Sequence, residues 1–176
     1  MIRSGCSTLG EQALAVVPRA APAGVARTHR AMKSEIERFE EVVAMVRQEF
    51  PHLEMKVSRE HRVVDAYAFL PSQPGLDFDV HLDLQGDALS MCVVGLWAEM
   101  FPCGKPRIFD SIMLAVRGVL SGKYRIRKSY AGSHVTAIQL ERPENGRWIP
   151  VATDYKWGWL IPMRRTHKFV QNRAVH

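Results

Sequence analysis

Several features that would point directly to an enzyme class or a cellular location are missing from this 176-residue sequence. Its three cysteines (Cys6, Cys92 and Cys103) are too few and too scattered for a disulfide framework or a zinc cluster, so a reducing, cytoplasmic interior is the expected compartment. No apolar run approaches the roughly 18 to 20 residues that cross a bilayer, so no membrane partner is expected. Glycine-rich phosphate loops, Gly-x-Ser-x-Gly elbows and His-Glu-x-x-His helices are also missing, which argues against the common motif-based enzyme classes.

The sequence does have the composition of an ordinary globular domain, with an uneven distribution of charge. Apolar residues make up 47% of the chain and charged residues 24%, which argues against wholesale disorder and against a fibrous protein. The net charge is +6, but residues 32–100 carry six basic and thirteen acidic side chains, whereas residues 101–176 carry fourteen basic and four acidic ones. Such a division indicates either an anionic partner or self-complementary association.

Two amphipathic helices are predicted. The first, Ser34–Phe50, begins with a capping box formed by Ser34 and Glu37, and its apolar residues recur at spacings of three and four. The second, Pro106–Ser121, has proline in its first turn, where the missing amide hydrogen is tolerated. Gly122 then supplies the left-handed residue that commonly ends a helix.

Six strands are predicted around these helices, in the order α-βββ-α-βββ. The clearest is Leu76–Leu84, in which apolar residues alternate with three aspartates and a histidine, as in a half-buried antiparallel strand. Pro150 cannot donate to a central ladder, so the last strand is expected at a sheet edge. The other predicted strands are 62–70, 88–97, 123–129, 134–141 and 147–155.

These elements predict one α+β domain over residues 32–160, an antiparallel sheet of about six strands packed by the two amphipathic helices. Residues 1–31 lack a periodic pattern and are expected to form a flexible arm, and residues 161–176 are expected to form a basic C-terminal tail with a short helix. The order of elements resembles that of type III secretion chaperones and of several other small α+β modules. The resemblance covers element order and no motif, so it assigns no site residue.

The first functional interpretation is a non-enzymatic, protein-binding module of the adaptor or chaperone kind, which binds a protein partner or a second copy of itself as a homodimer. Large apolar groups follow the last strand, and such groups dominate interface energetics. The acidic and basic halves would complement each other across a two-fold dimer. The candidate partner-binding residues are Trp157, Trp159, Leu160 and Ile161.

The alternative interpretation is a protein that binds nucleic acid through phosphates. Basic residues of the C-terminal half are interleaved with aromatic ones, as in surfaces that carry single-stranded nucleic acid. No RNA-recognition or helix-turn-helix signature accompanies them. The candidate residues are Lys123, Arg125, Arg127, Arg164, Arg165 and Lys168.

The third interpretation is a metal-dependent hydrolase. Asp77, Asp79 and His81 alternate along one predicted strand, so they project to one side about 7 Å apart. Carboxylates and an imidazole in such a row could bind a divalent cation. The simpler interpretation of the same row is the solvated face of a half-buried strand.

Catalysis by cysteine has no support in the local sequence. Cys92 falls in a strand that is expected to be buried, where a thiol behaves as a small apolar group. Cys103 directly precedes the second helix, where a helix start lowers the pKa of a thiol. No catalytic residue and no cofactor are therefore assigned, and the sequence favours a binding protein over an enzyme.

Overall fold

Two helices and two antiparallel sheets form the fold in the computed structural model, which describes residues 25–59, 63–156 and 164–173, with side chains from Glu35 onward. The α+β class and the antiparallel pairing are as predicted. In chain order the elements are α1 (Val25–Glu49), β1 (Lys56–Ser58), β2 (Ala66–Leu70), β3 (Val80–Gln85), β4 (Ala88–Val93), β5 (Leu96–Met100), α2 (Pro106–Leu120), β6 (Arg125–Ala131), β7 (His134–Glu144), β8 (Arg147–Tyr155) and β9 (Arg165–Gln171).

The described strands are divided between two sheets, which differs from the predicted single sheet of about six strands. The five-stranded sheet has the order β1-β2-β3-β4-β5, and the four-stranded sheet has the order β8-β7-β6-β9. One strand is added in the five-stranded sheet because the run predicted as a single strand, 88–97, is divided in two. Val94 and Gly95 both have positive φ, 52° and 82°, and this tight turn folds the run into the β4–β5 hairpin.

One core is shared by both helices and both sheets. Its large, fully buried members come from both helices and from strands β2 to β7, and include Phe39, Leu82, Ile112, Ile126 and Leu140. The alternation predicted for 76–84 is confirmed on its apolar side, where all five apolar residues are buried. None of the described helices is both long enough and apolar enough to span a membrane.

Two boundaries in the N-terminal half differ from the sequence prediction. Helix α1 begins at Val25, before the predicted start at Ser34, because no proline or glycine interrupts residues 25–50. Residues 25–31 of the predicted arm are therefore helical, and residues 1–24 lie outside the described residues. Strand β3 begins only at Val80, since the backbones of Gln73 and Leu76 bond to each other in a turn.

The C-terminal tail contains a strand where a short helix was predicted. Residues 165–171 form β9, which pairs with β6 along its whole length, from Arg125↔Gln171 to Ala131↔Arg165. The helical pattern of the tail is weak, and hydrogen bonds to the available edge of β6 outweigh it. The remaining residues of the predicted tail, 161–163 and 174–176, lie outside the described part of the chain.

The junction between α2 and β6 is tightly packed. Gly122 has φ 68° and ends α2 as predicted. The chain then turns back, so that the Tyr124 amide donates to the Gly118 carbonyl at 2.8 Å. The Tyr124 ring lies against the helix at Gly118, where a Cβ would come within 2.5 Å of it. Glycine at position 118, in the last turn of α2, therefore allows the Tyr124 ring to lie directly against the helix.

We expect Gly118→Ala to lower the free energy of unfolding by about 1 to 3 kcal/mol, because the added methyl group overlaps the Tyr124 ring. The control is the same substitution in a Tyr124→Ala background. There the overlap is gone, and alanine should stabilise the helix by up to about 1 kcal/mol through its better helix propensity. Urea unfolding of the four proteins measures both effects, and equal effects in the two backgrounds would contradict this account.

Candidate functional site

The outer face of the four-stranded sheet carries a buried carboxylate held by two arginines. Glu141 on β7 is only 1% exposed. Arg125 Nε lies 2.8 Å from its Oε2 atom, and Arg127 Nε lies 3.0 Å from its Oε1 atom. Arg127 also donates to the Gln139 side chain at 3.0 Å. Both carboxylate oxygens therefore have a cationic partner, which is what a charge removed from water requires.

Aromatic rings enclose the Arg125 guanidinium. Its central carbon lies 4.1 Å from the ring centre of Trp148 and 4.2 Å from that of Phe169. Trp148 is on β8, Glu141 on β7, Arg125 on β6 and Phe169 on β9. We call these four residues the cross-sheet row. It joins all four strands side by side on the outer face.

The cross-sheet row changes the role of two predicted phosphate-binding residues. Arg125 and Arg127 are paired with Glu141, and the faces of Arg125 are covered by rings. An arginine that is paired with a buried carboxylate can bind a phosphate only if that ion pair is broken, which costs free energy. Sequence analysis missed the row because Glu141, Trp148 and Phe169 are distant from Arg125 along the chain, and only the strand register brings them together.

The other predicted phosphate-binding residues lie at two places. Lys123 is exposed between α2 and β6. Arg164, Arg165 and Lys168 are exposed and lie on or directly before β9, at the edge of the four-stranded sheet. The Lys168 ammonium lies 5.4 Å from the ring centre of Tyr130. The structure thus brings three of the six predicted residues together on one edge strand.

The predicted protein-binding segment cannot be placed in the same way. Trp157, Trp159, Leu160 and Ile161 lie outside the described residues. The preceding strand β8, which contains Pro150, is an edge strand as predicted.

The edge of β8 opposite β7 faces strand β5 of the five-stranded sheet. The Trp97 amide on β5 donates to the Asp154 carboxylate on β8 at 3.2 Å. Part of the β8 edge therefore contacts β5 within the same chain.

The three candidate metal ligands have other partners. Asp79 accepts a hydrogen bond from the Ser72 amide at 2.7 Å, and the Asp77 carboxylate lies 3.6 Å from Arg173. His81 Nδ1 and the Tyr67 hydroxyl share a hydrogen bond of 2.6 Å. Within the described residues, no group of three or more histidine, cysteine, aspartate or glutamate side chains could hold a metal ion.

The strand register places one cysteine opposite a histidine, but the surroundings do not favour catalysis. His81 on β3 faces Cys92 on β4. Cys92 is 8% exposed, which restricts the access of any substrate to its thiol. Burial raises the pKa of Cys103 to about 11, so its position near the start of α2 does not activate the thiol. A thiol with this pKa is protonated at neutral pH.

Comparisons with protein-family models, curated proteins and solved structures give no match to this chain.

We expect Glu141→Gln to lower the free energy of unfolding by about 1 to 3 kcal/mol, because it leaves Arg125 and Arg127 without their anionic partner. Both guanidinium groups reach some solvent, which keeps the loss below that of a fully buried pair. The matched control is Glu144→Gln on the same strand, which breaks an exposed pair with Arg142 and should change stability by less than about 1 kcal/mol. Equal losses in denaturant unfolding would show that the cross-sheet row is not a stabilising unit.

His81 should make stability depend on pH. Burial lowers the pKa of His81 below its usual value of 6.5, against the opposing effect of the Asp79 carboxylate. The unfolded state therefore binds this proton at a higher pH than the folded state does. The free energy of unfolding should fall as the pH is lowered from about 6.5 through the folded-state pKa.

The pH dependence of the free energy of unfolding tests this account when it is compared with that of His81→Gln, which keeps a polar group beside the Tyr67 hydroxyl. The wild-type curve should be steeper below pH 6.5. His52→Gln changes an exposed histidine and serves as the control, since it should leave the wild-type slope in place. A slope that His81→Gln does not reduce would contradict the account.

Proposed function

We propose that the protein is a non-enzymatic binding module that takes an acidic, extended segment of a partner protein along the outer edge of β9. One observation carries the proposal. Strand β9 ends the four-stranded sheet, and residues 164–173 contain Arg164, Arg165, Lys168 and Arg173 with no acidic residue.

The backbone of an edge strand provides the affinity in this mode of binding. An edge strand presents backbone amide and carbonyl groups that an incoming strand can pair with. Strand β9 pairs with β6 over seven consecutive residues without a register shift, so its outer edge is regular. A run of that length spans about 23 Å, enough for an extended peptide segment.

The charges on β9 indicate what kind of strand it accepts. Two β9 strands paired with each other would bring arginines and lysines close together, and like charges on adjacent strands are destabilising. An acidic segment turns the same charges into attractive contacts and speeds the encounter. The partner is therefore a different, acidic chain at this edge.

This proposal keeps the protein-binding function predicted from the sequence and assigns it a surface. The phosphate-binding candidates Arg164, Arg165 and Lys168 become contacts for carboxylates. The Trp157–Ile161 segment remains a separate prediction of a partner-binding surface.

A second candidate function is the binding of single-stranded nucleic acid. Phe169 is 53% exposed and Tyr155 is 65% exposed, and exposed rings beside cations can stack on bases. Because Arg125 and Arg127 are engaged by Glu141, this function has fewer available cations on the same face. It serves as the competing outcome of the test below.

Fluorescence anisotropy with two labelled probes tests the proposal. The first probe is a peptide of about ten residues with alternating glutamate and valine, which can add to an edge strand, and the second is an oligo(dT) strand. We expect the peptide to bind more tightly, and a version with N-methylated alternate amides to lose most of its affinity. The double variant Arg164→Glu/Lys168→Glu should weaken peptide binding roughly tenfold or more.

The matched control is Arg107→Glu, which changes an exposed arginine on α2 and should leave peptide binding unchanged. Tighter binding of oligo(dT) that falls steeply with salt would favour the nucleic-acid function instead. Equal affinity for the methylated and unmethylated peptides would exclude strand addition at β9.

A further inference from the structure

The other sheet ends in an edge strand beside an apolar groove. Strand β1 has β2 as its hydrogen-bonded neighbour and ends the five-stranded sheet, and all three of its residues are exposed. Helix α1 lies on the core-facing side of this sheet. A groove of about 360 Å³ runs between the helix and strands β1 and β2. Its apolar lining comes from Ile36, Phe39, Val43, Ala44, Val57 and Ala66.

The groove exposes apolar surface on the core side of the sheet. Val57 pairs with Ala68, which is fully buried on the core face, yet Val57 itself is 37% exposed. On the described strands β2 and β3, the equivalent core-facing positions lie under α1. The core-facing side of the sheet therefore extends beyond the part that α1 covers. A partner that adds a strand next to β1 and places its own helix beside α1 would cover this exposed apolar surface.

Charges on α1 are arranged for an antiparallel copy of the same helix. Glu40 and Arg47 both line the groove and are seven residues apart, so they lie two turns from each other on one face. A two-fold axis near Val43 and Ala44 would place Glu40 of one copy against Arg47 of the other, twice. Ala44 is exposed, and its small side chain lets two helices approach closely.

We propose that a second copy of the chain covers this groove in a symmetric dimer. One two-fold axis through the β1 edge gives three contacts at once. It pairs β1 with its own copy, it lays the two α1 helices side by side and antiparallel, and it sets Glu40 opposite Arg47 in both directions. An interface of this kind is self-complementary, as two-fold symmetry requires.

The contacts within one copy are compatible with this arrangement. Glu40 already forms an ion pair with Arg59 at the rim of the groove; the Arg59 side chain is largely exposed, and the Glu40 side chain is partly exposed. A carboxylate has room for more than one cationic donor, so Glu40 can keep Arg59 and also meet Arg47 of the second copy. The dimer uses β1 and α1, whereas the acidic partner proposed above uses β9, so either proposal can fail without the other.

Opposite charge variants give a direct test. Glu40→Arg leaves arginine at both positions, and Arg47→Glu leaves glutamate at both. Each variant alone should then dimerise at least roughly tenfold more weakly than wild type, because each pair becomes repulsive. An equimolar mixture of the two should form a heterodimer, since both of its pairs are attractive. Sedimentation velocity of the wild-type protein, the separate variants and the mixture measures this.

The control for charge is Glu37→Arg, which makes the same change on an exposed residue of α1 outside the groove lining. It should dimerise as wild type does. A wild-type protein that stays monomeric at several hundred micromolar would overturn the proposal. A dimer that neither charge variant weakens, or variants whose mixture gains nothing, would overturn it as well.

A covalent trap gives independent evidence. With Cys6 replaced by serine, Ala44→Cys should form a disulfide between copies under mild oxidation, because residue 44 lies beside the proposed axis. Leu114→Cys, on an exposed position of α2, should not. The native Cys92 and Cys103 are buried and contribute little to cross-linking. Equal cross-linking of the two cysteine variants would contradict the proposed axis.

Discussion

The carboxylate of Glu141 is the constraint on which the four-stranded sheet depends. A buried charge must be paired, and here the pairing uses Arg125 and Arg127 on the neighbouring strand. Because Arg125 also lies between Trp148 and Phe169, one ionic contact fixes the relative position of four strands. The same contact pairs two cations of the basic half, Arg125 and Arg127, with a carboxylate inside the protein.

A second polar side chain attaches the last strand to the rest of the protein. Asn172 directly follows β9 and is buried. Its amide nitrogen donates to the carbonyl groups of Leu120 at 2.7 Å and Gly75 at 2.8 Å, and its oxygen accepts from the Asp77 amide at 3.0 Å. One residue thus satisfies the C-terminal end of α2 and the turn before β3. The strand β9 can therefore be an edge strand near the end of the chain and still be held in place.

Helices and strands were predicted well where residues close together in the sequence determine them. The apolar alternation of 76–84, the proline and glycine that bound α2, and the strand 147–155 are all found in the structure. Long-range pairing was not predictable, since β9 is a strand only because β6 offers it an edge. The cross-sheet row was not predictable for the same reason. No pattern near Arg125 shows that Glu141 and two aromatic rings will meet it across the sheet.

The uneven charge of the sequence has a structural counterpart in the two sheets. The acidic half of the chain supplies α1 and the five-stranded sheet, whereas the basic half supplies α2 and the four-stranded sheet. Within the described residues, the edge strands β9 and β1 therefore differ in character. The edge at β9 is seven residues long and strongly basic, which opposes self-pairing and suits an acidic strand. The edge at β1 is only three residues long, too short to bind by backbone pairing alone, and needs the apolar groove and the charges of α1 beside it. The face of α1 beside β1 carries both an acidic and a basic residue, Glu40 and Arg47. A second copy of the chain always has the same face, so under two-fold symmetry it can pair each charge with its opposite.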